Sequence, residues 1–126
     1  MSASLNHVAV WFEIPTIDLD RAMHFYGAVL QTTFREEQMG PMQMAVFAHD
    51  EAAIGGALVW AEHMQPSATG TVVYLNAGPA LQPVLDRVPA AGGTIVVPKT
   101  LIAPEIGYFA VVRDTEGNHV GLHALD

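Results

Sequence analysis

Residues 65–70 read QPSATG, and this run from Gln65-Pro66 to Thr69-Gly70 is the one polar, proline- and glycine-containing break long enough to divide the chain. It falls almost at the middle of the 126 residues. Before it, in His7 to Ile14 (HVAVWFEI), Val8, Val10, Phe12 and Ile14 alternate with His7, Ala9, Trp11 and Glu13. That is the period-2 signature of a strand, with the first set as its core face. Pro15 ends the strand, and Asp18 is placed to cap a helix in which Leu19, Ala22, Tyr26 and Val29 recur at helical spacing. Thr33 to Glu37, Met42 to Ala48 and Gly55 to His63 then read as three strands of an antiparallel meander.

After the break the same order returns. Thr71 to Ala77 (TVVYLNA) alternates as a strand, Gly78-Pro79 opens a helix with Leu81, Val84, Leu85 and Val88 as its apolar stripe, and Ala91-Gly92-Gly93 stops it. Pro83 and Pro89 each remove a backbone donor there, so the second helix is expected to be short or kinked and the first better formed. Thr94 to Pro98, Tyr108 to Arg113 and His119 to Leu125 follow as strands, the last two joined by the turn Asp114-Thr115-Glu116-Gly117-Asn118. A duplicated strand–helix–three-strand unit predicts pseudo-twofold symmetry, with helices covering one face of the sheets and a concavity on the other. The expected fold is α+β within a single domain, 1–126, whose modules span 5–64 and 70–125.

Composition narrows the function. There is no cysteine, which excludes disulfides, thiolate nucleophiles and sulfur-ligated metal centres. Thirteen acidic against five basic residues give a formal charge of −8, which opposes nucleic-acid binding, so no nucleic-acid partner is expected. The longest nearly uncharged apolar stretch, Ala52 to Ala61, is far short of the roughly 20 residues a spanning helix requires, so no membrane partner is expected. The start, MSASLNHVAV, shows no basic segment followed by an apolar one, and a cytoplasmic location is the expectation.

Three segments carry a family resemblance: Phe12-Glu13-Ile14-Pro15 leading into Asp18-Leu19-Asp20-Arg21-Ala22 and Phe25-Tyr26; Ala90-Ala91-Gly92-Gly93; and Gly107-Tyr108-Phe109-Ala110 running to Asp114-Thr115-Glu116-Gly117-Asn118. In this order and spacing the chain resembles the vicinal oxygen chelate superfamily of glyoxalases, bleomycin resistance proteins and extradiol dioxygenases. The resemblance implies two βαβββ modules forming a cupped eight-stranded mixed sheet with helices on the outer face, a homodimer, and a small-molecule site in the cup. In metal-dependent relatives, His and Glu from the first and last strand of each module hold a divalent cation there.

Those four positions can be read in this chain. Counted from Asp18, the first falls on Trp11; the second lies near Gly56, Ala57 or Leu58; the third at Val72 or Val73; the fourth, counted from Asp114, on Gly121. None offers a donor side chain, so no metal ligand and no cofactor is expected. His119 and His123 share a face with Gly121, but four strand residues separate them by roughly 13 Å, and metal–nitrogen bonds are about 2 Å long. A divalent metal would need a rearranged set, His119 or His123 with His7 or Glu13.

The expected ligand lining is Trp11, Glu13, Tyr74, Asn76, His119 and His123. Trp11 needs a ligand or a partner subunit to cover it, because Val8, Val10, Phe12 and Ile14 already supply the core face. Tyr74 and Asn76 face the cup only if the register places Val73 and Leu75 on the other side. Glu13 and His119 are the candidate catalytic groups, as a general base and its partner. The leading expectation is a metal-independent protein that binds a small aromatic or amphipathic molecule. Two others stand beside it: a glyoxalase- or lyase-type enzyme with a noncanonical metal or Glu/His acid–base site, and a drug-sequestering resistance protein.

Overall fold

In the computed structural model, which describes residues 7–126, helix α1 (Leu19–Leu30) starts where the sequence places it. The Asp18 side chain accepts from the Arg21 backbone N–H at 3.0 Å, satisfying one of the orphan donors of the first turn. Leu19, Ala22, Phe25, Tyr26 and Val29 are buried along one stripe. Ahead of the helix runs β1 (Trp11–Pro15), and after it β2 (Phe34–Met39), β3 (Met42–Phe47) and β4 (Gly55–Trp60). The second module repeats the order: β5 (Tyr74–Asn76), α2 (Leu81–Asp86), β6 (Thr94–Ala103), β7 (Gly107–Arg113) and β8 (His119–Ala124). Residues 5 and 6 of the expected first module lie outside the described residues.

The fold is α+β, and its eight strands divide into two four-stranded mixed sheets of matching order, β1-β4-β3-β2 and β5-β8-β7-β6. In each, the first strand of the module runs parallel to the last, and the others are antiparallel. One core joins the modules. Phe25, Tyr26 and Leu58 from the first are fully buried with Leu81, Leu85 and Leu122 from the second. A smaller apolar cluster, Met44, Val46, Ala57, Val59 and Ala61, covers the opposite face of the first sheet.

Several boundaries differ from expectation, among them those of β2, which runs Phe34–Met39 instead of Thr33 to Glu37, and of β4, which ends at Trp60 instead of His63. The first strand begins at Trp11, and Val8 and Val10 are 97% and 78% exposed instead of lying in the core. Their alternation is genuine, but the partner strand β4 begins opposite Trp11 at Gly55, so nothing pairs with the preceding residues. Strand β5 shortens to three residues because its register with β8 runs only from Tyr74↔Gly121 to Asn76↔His123. Helix α2 starts at Leu81 instead of Gly78 and keeps six residues, with Pro83 in its first turn, where a missing N–H costs no helical bond. Strand β6, conversely, continues past Pro98 to Ala103. It is an outermost strand, and register shifts flank Pro98, the places where proline is tolerated in a sheet.

Candidate functional site

The residues that carry the family resemblance fasten the two modules together. Glu116, in the β7–β8 turn, accepts from the backbone N–H groups of Ile17 (2.9 Å) and Asp18 (2.8 Å), from Arg21 Nε (2.8 Å) and Nη2 (3.1 Å), and from the Thr115 hydroxyl (2.9 Å). Its carboxylate thus sits at the N-terminus of α1, where the helix dipole favours negative charge. Burial alone would raise its pKa. The hydrogen bonds from Arg21, Thr115 and the two backbone donors outweigh burial and hold it at about 2.

Beside Glu116, the Tyr26 hydroxyl donates to Asp114 at 2.6 Å. Burial and the neighbouring Asp114 push the phenol well above its usual pKa, so it stays a donor. Asp114 also accepts from the backbone N–H groups of Glu116 and Asn118. Asn118 Nδ2 donates to the Pro15 carbonyl (2.8 Å) and to Asp114 (3.0 Å), while its Oδ1 accepts from Ser67 N–H (3.1 Å). Among the described residues no buried side-chain nitrogen or oxygen lacks a partner.

That clamp positions a cleft of about 430 Å³ between β1 and the start of β8, walled by the linker that joins the modules. Trp11, Glu13 and His119 line it, together with Gln65, Ser67, Thr69 and Thr71. Trp11 Nε1 donates to Glu13 Oε2 at 3.3 Å, which fixes the indole against the strand. The His49 ring stands edge-on to it at 6.5 Å, seated over Gly55, where a Cβ would lie 2.5 Å from the imidazole. His49 was missed in the sequence because it lies just past the end of β3, outside any strand alternation.

The other three expected residues line a different concavity. Tyr74, Asn76 and His123 border an open cleft of about 570 Å³ on the second sheet. The register places Tyr74 and Asn76 on the face opposite buried Leu75, as the alternation requires. Two of the three are already engaged: Asn76 Oδ1 accepts from Gly78 N–H at 2.8 Å, and His123 Nε2 lies 2.7 Å from the Ile106 carbonyl. The structure therefore brings Trp11, Glu13 and His119 together and sets Tyr74, Asn76 and His123 apart from them.

A metal of the family type does not fit the side chains present. Trp11 faces Gly55 across the β1–β4 ladder, Glu13 faces Ala57, and Tyr74 faces Gly121. The Tyr74 ring lies so closely over Gly121 that a Cβ there would come within 2.2 Å of it, so a carboxylate at this position would have to displace the ring. Among the described residues no three His, Asp or Glu side chains converge as a metal would require.

Comparisons with known proteins agree with this architecture. The sequence profile of the Glyoxalase/Bleomycin resistance protein/Dioxygenase superfamily matches residues 4–122. A hypothetical protein from S. aureus superimposes with a TM-score of 0.69 at 18% identity, covering 94% of both chains. A glyoxalase/bleomycin resistance protein from a Streptomyces species gives 0.66 at 20% identity over 90% of this chain and 96% of that one. A glyoxalase I variant from Zea mays gives 0.71 at 15% identity; the match covers 91% of this chain and 45% of the maize chain. No curated protein matches the sequence. At these identities the structural likenesses establish the fold, and the profile match over nearly the whole length establishes the family: the chain belongs to the Glyoxalase/Bleomycin resistance protein/Dioxygenase superfamily.

Proposed function

We propose that this protein is a metal-independent member of its superfamily that binds a small aromatic or amphipathic molecule in the cleft beside Trp11. The observation that carries the reading is chemical. The positions where metal-dependent relatives hold their cation carry an indole, aliphatic side chains and a glycine, and the glycine lies beneath the Tyr74 ring. The cleft itself supports ligand binding, because it combines one partly exposed aromatic surface with several convergent polar groups. A homodimer and a cytoplasmic location belong to the same proposal. Leu101, Ile102, Ile106 and Leu125 are exposed around one end of the second sheet, apolar surface of the kind that subunit association covers. Among the described residues no helix is long and apolar enough to cross a membrane.

Protein purified without chelator or affinity tag is expected to carry no stoichiometric metal. Titration with Zn, Ni, Mn or Fe is expected to leave its melting temperature within about 1 °C, since a cation that binds the native state tightly would raise it by mass action. Stoichiometric binding accompanied by stabilisation would defeat the proposal. It would favour the second reading, for which Glu13 and His119 on the same cleft are the specific support: an enzyme using them as acid and base or in a rearranged metal site.

A further inference from the structure

We infer that the Trp11 cleft is built for an uncharged, hydroxyl-rich ring compound, of the chemical class of an aryl glycoside, and that it discriminates against anionic ligands of the same shape. The inference rests on the reading of this cleft as the ligand site and names the class of molecule it takes.

Among the described residues neither lysine nor arginine lines the cleft, whose only basic side chain is the imidazole of His119. The chain has five Lys and Arg residues, and none lines it. Arg21 is spent on Glu116 and Arg35 on Glu37. Arg87 Nε donates to the Val29 carbonyl at 3.0 Å, and Lys99 Nζ lies 4.3 Å from the centroid of the Tyr108 ring. Arg113 extends toward the β7–β8 turn, where a Cβ on Gly117 would lie 3.7 Å from its Nη2. Carboxylates and phosphates are recognised by forked or clustered cations, and among the described residues a lone imidazole, that of His119, makes neither a fork nor a cluster here. The cleft presents Glu13 instead, on a chain of formal charge −8.

Hydroxyl groups take the place of charge. Ser67, Thr69 and Thr71 alternate along the linker and all face the cavity, with Gln65 beside them. The wall is fixed: Ser67 N–H is held by Asn118, and the Ser67 hydroxyl is 3.2 Å from that of Thr69 and accepts from Thr69 N–H at 3.1 Å. Hydroxyls both donate and accept, so a row of them matches a polyol better than it matches an ion. Glu13 turns one oxygen to Trp11, and its other oxygen, which has no hydrogen-bond partner among the described residues, can accept from a ligand hydroxyl. The half-exposed indole supplies the flat apolar surface against which a ring can stack. A site built to hydrogen-bond hydroxyls also rejects analogues that lack them, because its own polar groups are then left unpaired.

Phenyl β-glucoside and phenyl β-glucuronide test this, since they share one scaffold and differ only at C6, a hydroxymethyl in the first and a carboxylate in the second. In the Trp60→Phe variant Trp11 is the sole indole reporter, and calorimetry supplies a second readout. The glucoside is expected to saturate with a change in Trp11 emission, and the glucuronide to bind about tenfold more weakly at low salt. Glu13→Gln is expected to narrow that gap to about twofold, and Thr71→Val to weaken the glucoside without moving the melting temperature. Equal or tighter binding of the glucuronide at Trp11 overturns the inference and leaves the cleft as a ligand site. Perturbation of Trp11 by 2-naphthol, with neither glycoside having an effect, overturns it in the same way. If none of the three perturbs Trp11 or gives heat, the cleft is not the ligand site and both proposals fall.

Discussion

Replacing Glu116 by glutamine is expected to destabilise the protein by about 3 kcal/mol at neutral pH, more than any substitution in the cleft. The carboxylate is buried and held at a pKa of about 2 against an ordinary 4.5, and a gap of that size corresponds to about 3 kcal/mol of preferential stabilisation of the charged form. Glutamine keeps the shape and, with its oxygen in the place of Oε1, both backbone donors, but it sets an amide N–H2 against Arg21 Nε and removes the charge that Arg21 pairs with. The pH dependence has a definite sign. Because the folded-state pKa is depressed, the contribution is complete above about 4.5 and disappears as the pH falls from there through about 2. Urea unfolding of both proteins between about pH 7 and about pH 2 checks this. The wild-type advantage is expected to be large and flat down to about pH 5 and to vanish by about pH 2. An advantage below about 0.5 kcal/mol at neutral pH, or one that does not shrink with acid, would show that Glu116 does not clamp the modules.

Gly93→Ala is expected to cost about 2–3 kcal/mol, although it adds one methyl group. A Cβ at this position would lie 2.5 Å from the Phe25 ring and 2.8 Å from the Arg113 carbonyl oxygen. Phe25 is fully buried against Tyr26, and Arg113 belongs to the β7 ladder, so neither neighbour can retreat cheaply. Gly27→Ala is the control. Its Cβ would meet only ordinary contacts, 3.5 Å from the Thr32 carbonyl and 3.8 Å from Phe34, and alanine inside α1 is expected to stabilise by up to about 1 kcal/mol. Chemical denaturation of the two variants should move in opposite directions; parallel shifts would contradict the packing described.

Much of the architecture was legible because it follows from periodicity. The repeat about residues 65–70, the Asp18 cap and the parity that places Tyr74 and Asn76 opposite Leu75 all depend on neighbours within a few residues. Val8 and Val10 show the limit of that reading, since alternation specifies two faces but not whether a partner strand is there to pair with them. The site was less legible for the same reason. Glu116 reaches Ile17, 99 residues earlier, and Asn118 reaches Pro15 and Ser67 across 103 and 51 residues. No local pattern records such pairings. The polar linker itself was read only as a boundary, yet its alternate hydroxyls form a wall of the cleft. Its signal was present in the spacing Ser67, Thr69, Thr71, which a search for charged or aromatic groups passes over.

The outermost strands bear on how the chain behaves in a crowded solution. An outermost strand presents unpaired backbone groups that can recruit the same strand from another copy. Here Pro98 interrupts β6 at a register shift and Lys99 follows it, while β2, outermost in the other sheet, carries Arg35, Glu36 and Glu37 in succession. A proline cannot extend a ladder, and a parallel, in-register copy of β2 would bring like charges together. These two margins are thereby poor templates for parallel strand-by-strand growth, which favours side-chain surfaces as the place where copies of this protein meet.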